Sequence, residues 1–246
     1  EIGVSQVDWI LHTHHHRDQC QGDHLANDRK IPIAVPSHEL PYFEEVEVFW
    51  GSRQIYDIYD VRQTFFTLAK SVRTTRVLED YETFEWGACR FSIQPTPGHT
   101  LGHIALVAEI DGERVGFSGD LIAESGKVRT LYDLQYAYGA GDGCDYMVYS
   151  LAKMRARGCD QLCPSHGDPL RDTGPALNAL EDKFRVYMQH RWNIDTPTHD
   201  IAPRAISPHL LQIPGCSDTW IVVSDSGQAL FVDYGSQSLT FMYSYT

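Results

Sequence analysis

Histidine and aspartate alternate in a short stretch near the start of the chain, at His14, His16 and Asp18. Imidazole and carboxylate groups are ligands that zinc and related transition metals prefer. The apolar residues before them, 7–11, predict a short buried strand, which would hold the stretch so that side chains at alternate positions converge on one point. The pattern indicates a metal site, although a histidine run taken alone also fits a surface accident or the remnant of a tag.

Three later segments place further ligand types at the ends of predicted strands. His99 lies in the Gly/Pro-rich sequence TPGHTLGH, Asp120 ends the sequence FSGD, and His166 stands in PSHG. A bound metal ion can polarise a carbonyl or phosphoryl oxygen, and it lowers the pKa of bound water toward ~7. The four segments together favour a metal centre.

The order HxHxD, TPGHTxGH, SGD and SHG resembles the metallo-β-lactamase fold superfamily over roughly residues 7–170. The resemblance implies an α+β fold, the four-layer αβ/βα sandwich, in which two sheets face each other between outer helices and the metals lie at one edge. It also implies six metal ligands, which are His14, His16, Asp18, His99, Asp120 and His166.

By the same resemblance, the first three histidines of this set hold one metal ion. Asp18 and His166 belong to a second ion, and Asp120 bridges the two. The implied catalytic residues are Asp18, which orients a metal-held hydroxide or accepts its proton, and Asp120. Zinc, as one or two ions, is the expected cofactor, and manganese or iron is the alternative.

The chain departs from the family pattern at Gln19, where the family usually has histidine. Glutamine offers a neutral carbonyl oxygen, which binds zinc less well than imidazole does. The substitution favours a second site that is weakened, or that takes a harder metal, over one that is abolished. Cys20 and His24 lie close enough in sequence to substitute, and His103 is expected to support His99 from behind.

Predicted elements that position these residues alternate between strand and helix. A helix at 22–30 and a strand at 31–35 follow the first ligands, and helices at 142–157 and 176–190 come later. Further strands are predicted at 90–94, 103–110, 114–118 and 161–164. Residues 37–80 are rich in aromatic side chains and predict a helical insertion, which covers the core or caps the site.

The tail predicts three more strands, at 209–213, 219–224 and 229–233, after a connection at 193–208. Residues 205–235 resemble the strands with which the superfamily fold usually opens. Circular permutation explains this order, as does a fragment whose strands pair between copies or begin a second domain, or a numbering that departs from the genetic order. In each case we expect the strands to complete the sandwich, giving one domain over 1–246, with a metal-site core at 1–192.

The charge and the cysteine content of the chain limit the expected partners and location. The net charge is −13, from 33 acidic and 20 basic residues, and no basic run offsets it, which disfavours nucleic acid and anionic membranes as partners. Six scattered cysteines and no visible signal peptide predict a cytoplasmic protein. The resemblance implies hydrolysis of a small ester, thioester, lactone or amide, and a tyrosine from 132–138 could assist the oxyanion. The alternatives are a phosphodiesterase or nuclease, and a non-catalytic metal-binding protein.

Overall fold

The computed structural model describes residues 3–52, 67–129, 142–192, 203–213 and 218–233. The chain divides into two compact units, Glu1–Arg191 and Trp192–Thr246. In the described part of the chain, none of the helices combines the length and the apolar character that a membrane crossing requires.

The first sheet of the larger unit contains three parallel strands, β1 (Ile10–Leu11), β2 (Ile33–Pro36) and β3 (Arg76–Leu78). All four residues of β2 are buried, as expected for a parallel strand that is covered on both faces. Short helices connect these strands: α1 (Arg17–Cys20), α2 (Asp23–Asp28), a 3-10 helix (Ser37–Glu39), α3 (Leu40–Glu44) and α4 (Val46–Ser52).

In the part of the chain that the structure describes, the second sheet has five strands in sequence order. They are β4 (Thr83–Trp86), β5 (Cys89–Pro95), β6 (Ile104–Ile110), β7 (Glu113–Gly119) and β8 (Gln161–Pro164). The first four are antiparallel, and β8 returns parallel to β7 after helix α5 (Asp142–Arg157). Helix α6 (Thr173–Trp192) follows β8. Asp111 and Gly112 form the turn between β6 and β7, and both have positive φ.

Three apolar clusters define the layers of this unit. One fills the space between the two sheets, where Ala34 and Leu78 of the first sheet meet Phe84 and Ile93 of the second. A second packs the first sheet against the short helices, and a third packs β6 and β8 against α5 and α6. The order helix, sheet, sheet, helix confirms the predicted αβ/βα architecture.

The region predicted as a helical insertion at 37–80 is only partly helical. The 3-10 helix, α3 and α4 cover 37–52, and residues 53–66 lie outside the described residues. The end of the region contains β3, which pairs with β2 in parallel. Three residues are too few to show strand periodicity, so the sequence did not reveal this strand.

The described residues of the smaller unit form the strands β9 (Arg204–Ser207), β10 (Leu210–Ile213), β11 (Thr219–Val223) and β12 (Ala229–Val232). These strands make an antiparallel sheet in the order β12-β11-β10-β9. Part of the predicted connection at 193–208 is therefore strand, which was missed because β9 is exposed along its whole length and lacks apolar alternation. That these strands complete the sandwich of a single domain stays a prediction, and so do all three explanations of the chain order.

Candidate metal centre

His14 and His16 lie in the loop between β1 and α1, and both side chains are buried. The ring of His14 is oriented by Thr13, whose hydroxyl lies 3.0 Å from Nδ1. Its other nitrogen, Nε2, is buried and has no hydrogen-bond partner among the described residues. A buried polar atom without a partner is costly, and a metal ion in front of it would remove that cost.

Four buried side chains bring their ligand atoms within 4.8 Å of one another: His14, His16, His99 and Asp120. His99 Nε2 lies 2.9 Å from His16 Nδ1 and 3.2 Å from Asp120 Oδ2. Burial lowers the pKa of His14 and of His99 well below the ordinary value, and it lowers the pKa of His16 to about 3. The three imidazoles are therefore neutral and offer lone pairs, as metal ligation requires.

Asp120 follows the end of β7, where His103 holds its backbone. The Asp120 N–H donates to His103 Nε2 at 3.1 Å, and His103 Nδ1 lies 2.8 Å from the Thr96 hydroxyl. His103 thus supports Asp120 directly. Burial and the negative charge of Asp18 raise the pKa of Asp120 to about 7, so the pocket favours added positive charge.

Asp18, Gln19 and His166 form a second group beside Asp120. His166 Nε2 lies 3.0 Å from Asp18 Oδ2, 3.3 Å from Gln19 Nε2 and 3.6 Å from Asp120 Oδ2. Side-chain exposure is 47% for Asp18 and 21% for His166, compared with 5% for Asp120. This group therefore faces solvent, and it is where a substrate can approach the centre.

The two residues weighed as substitutes for Gln19 are engaged elsewhere. The Cys20 thiol is buried 3.1 Å from the carbonyl oxygens of His15 and His16, and burial raises its pKa. The exposed His24 ring contacts the Gln21 carbonyl oxygen at 2.9 Å. The tyrosines of 132–138, predicted to assist an oxyanion, lie outside the described residues.

Sequence reasoning missed Glu39, whose buried carboxylate joins the two loops that contain the histidines. It accepts hydrogen bonds from the His15 N–H at 3.1 Å and the Gly102 N–H at 2.8 Å, and it also bonds the His15 ring. Burial opposes ionisation, but His15 and these hydrogen bonds outweigh it and lower the pKa of Glu39 to about 2. The feature of the sequence that points to Glu39 is an acidic residue three positions after the apolar strand β2.

Comparison with known proteins agrees with this architecture. The profile of the metallo-beta-lactamase superfamily matches residues 1–187. No curated protein matches the sequence significantly. A metallo-beta-lactamase family protein from Thermus thermophilus superimposes with a TM-score of 0.54 at 21% identity, over 81% of this chain and 66% of that one. The chain thus spans just under two thirds of that relative's length.

A second solved structure is similar to the same degree. The FEZ-1 metallo-beta-lactamase from Legionella gormanii superimposes with a TM-score of 0.52 at 16% identity, over 74% of each chain. At these identities the likeness shows a shared fold, and the substrate has to be argued from the site.

Proposed function

Because the chain belongs to the metallo-β-lactamase superfamily, we propose that it is a metal-dependent hydrolase that acts on a small molecule with an ester, thioester, lactone or amide bond. The main support is the buried Nε2 of His14, which lacks a hydrogen-bond partner among the described residues and is free to bind a cation. The ligand atoms of His16, His99 and Asp120 lie within 4.8 Å of the His14 ligand atom and of one another, so the four residues can share one ion.

The residues present fit a divalent cation. His14 Nε2, His16 Nδ1 and His99 Nε2 would hold it, and Asp120, Asp18 and His166 would contact a second ion beside it. Such a cation supplies a Lewis acid that polarises the scissile carbonyl and lowers the pKa of water toward ~7. We propose zinc, with manganese or iron as alternatives, because imidazole nitrogens predominate.

Asp18 and Asp120 have different roles in the proposed reaction. Asp18 is half exposed and hydrogen-bonded to His166, so it can orient an attacking water and accept its proton. Asp120 is buried and held by His103, so its position changes little when substrate binds. The exposed face of Asp18 and His166 gives the substrate its route to these groups.

Charge supports a small substrate over a nucleic acid. A net charge of −13 repels a polyanion, which counts against the phosphodiesterase or nuclease alternative. A lactam is a cyclic amide and falls within the proposed class. The described cysteines are all free, which supports a reducing, cytoplasmic setting.

A panel of four substrates tests this proposal: nitrocefin, a thioester, an acyl-lactone and bis-p-nitrophenyl phosphate. We expect the zinc-loaded chain to hydrolyse at least one of the first three, and a chelator to abolish the activity. Asp18→Asn should lower the rate about 100-fold or more, whereas His24→Asn should leave it unchanged.

Two results would contradict the proposal. Activity on the phosphodiester alone would establish the rival function. Inactivity on all four substrates by zinc-loaded protein would leave the non-catalytic metal-binding alternative in its place.

A further inference from the structure

We propose that the two sides of this centre bind cations with unequal affinity, the histidine pocket tightly and the outer side weakly, because Gln19 belongs to the outer side. The histidine pocket is His14, His16 and His99, and the outer side is Asp18, Gln19 and His166. This inference rests on the metal-dependent function proposed above and assigns the occupancy of its two sites.

The histidine pocket is already arranged to receive an ion. Its three side chains are buried, and two of their nitrogens, on His16 and His99, lie 2.9 Å apart. The third, His14 Nε2, has no hydrogen bond to a described residue that an incoming ion would have to break. Binding there breaks the contact between the His16 and His99 nitrogens, but it also gives the unpaired buried nitrogen of His14 a ligand bond, which offsets that loss.

On the outer side, the side chains already contact one another and are more exposed to water. His166 Nε2 already contacts Asp18 Oδ2 at 3.0 Å and Gln19 Nε2 at 3.3 Å. An ion can bind His166 only after displacing both contacts. Asp18 is also 47% exposed, so water and salt weaken its attraction for a cation more than they weaken that of the buried Asp120.

The donor atoms of Gln19 add to this difference. A carboxamide can offer one neutral oxygen to a metal, because its nitrogen donates hydrogen bonds and has no basic lone pair. Exchanging an imidazole for that oxygen shifts the outer side from zinc toward oxygen-seeking ions such as manganese. Neither Cys20 nor His24 replaces the lost nitrogen, since both are engaged with backbone carbonyl oxygens.

Zinc titration of the chelator-treated full chain tests the inference, with stoichiometry from equilibrium dialysis and affinities from calorimetry. We expect one tight zinc ion per chain and a second that binds about 100-fold more weakly, because losing a ligand costs at least as much as the roughly 10- to 100-fold cost of changing a supporting residue. Gln19→His should tighten the second site at least tenfold and leave the first unchanged. Gln19→Glu, which introduces a charged oxygen ligand, should tighten it as well, most clearly for manganese.

Gln21→His is the matched control, because it places a new imidazole at an exposed position two residues away. It should titrate like the parent chain. Two equally tight zinc ions in the parent would overturn the inference while leaving the proposed function standing. A second site that neither Gln19→His nor Gln19→Glu tightens would also overturn it. No zinc binding at all would instead refute the proposed function.

Discussion

Gly119 lies at the end of β7, in a backbone conformation with φ of +54°. A Cβ atom at this position would lie 2.4 Å from His103 Nε2 and 2.8 Å from the Thr13 hydroxyl. The same His103 nitrogen accepts the Asp120 N–H, and Thr13 orients His14. A side chain at 119 would therefore disturb the supports of two candidate ligands at once.

Gly119→Ala should lower zinc affinity at least tenfold, because the added methyl group displaces His103 and with it Asp120. Gly112→Ala is the matched control: φ is +83° there, but nothing lies within 4 Å of the added atom. It should cost about 1 kcal/mol of unfolding free energy through backbone strain and leave zinc affinity unchanged. Calorimetric titration and chemical denaturation measure the two effects. Equal zinc affinity in both variants would contradict the assigned role of Gly119.

At the level of elements, the centre is assembled by loops that follow strands of both sheets. The His14 loop follows β1, the His99 loop joins β5 to β6, and Asp120 follows β7. Glu39, in the 3-10 helix after β2, joins the first two loops because its carboxylate accepts hydrogen bonds from the N–H groups of His15 and Gly102. At Gly102, a Cβ atom would lie 2.6 Å from the Glu39 carboxylate, so the close approach requires glycine.

Glu39→Gln should weaken zinc binding about tenfold and cost about 1–3 kcal/mol of unfolding free energy, because the amide leaves a buried N–H unpaired. Asp23→Asn provides the control. Asp23 is also buried and contacts the His12 ring at 3.1 Å, but it does not join the two loops. We expect this control to lose stability without losing zinc affinity. If both variants bind zinc as tightly as the parent, Glu39 contributes to stability but not to zinc binding, and the prediction is contradicted.

Elements with a continuous apolar run or a clear end signal could be predicted from sequence. The strand β8 and the helix α5 have their predicted bounds, and Gly158, with a φ of +63°, follows the end of α5 as a glycine cap does. The strand β1 is shorter than predicted, because its pairing with β2 begins at Ile10, and Val7 is exposed. The role of Glu39 could not be predicted, since its contact with Gly102 spans 63 residues and depends on the completed fold.

At the scale of the whole molecule, stability in acid depends on an ion-pair network that joins helix α5 to helix α6. Glu181 of α6 accepts hydrogen bonds from Arg155 of α5 at 2.5 Å and from Arg185 at 2.7 Å. Burial opposes its ionisation, but these arginines outweigh burial and lower the pKa of Glu181 below its ordinary value. A lowered pKa means that the pair stabilises the fold at neutral pH and ceases to do so as the pH falls through that pKa.

Glu181→Gln should therefore lower the unfolding free energy by roughly 1 kcal/mol at pH 7. The difference from the parent should shrink as the pH falls below 4.5, the ordinary pKa of the group. Urea denaturation of chelator-treated protein measures this without a contribution from metal release. Glu124→Gln is the control, since Glu124 pairs with Lys127 on the surface and its loss should have no measurable effect. A parent–variant difference that does not shrink between about pH 7 and pH 3 would contradict the assignment.

The metal content of the intact chain, purified without chelators, tests the central claim most directly. Elemental analysis should find at least one transition-metal ion per chain in the parent and in His24→Asn, whose ring is exposed. His99→Asn, which removes a ligand from the buried cluster, should contain almost none. A parent chain that holds no transition metal and cannot be loaded with one would contradict the account, as would His99→Asn retaining the full amount.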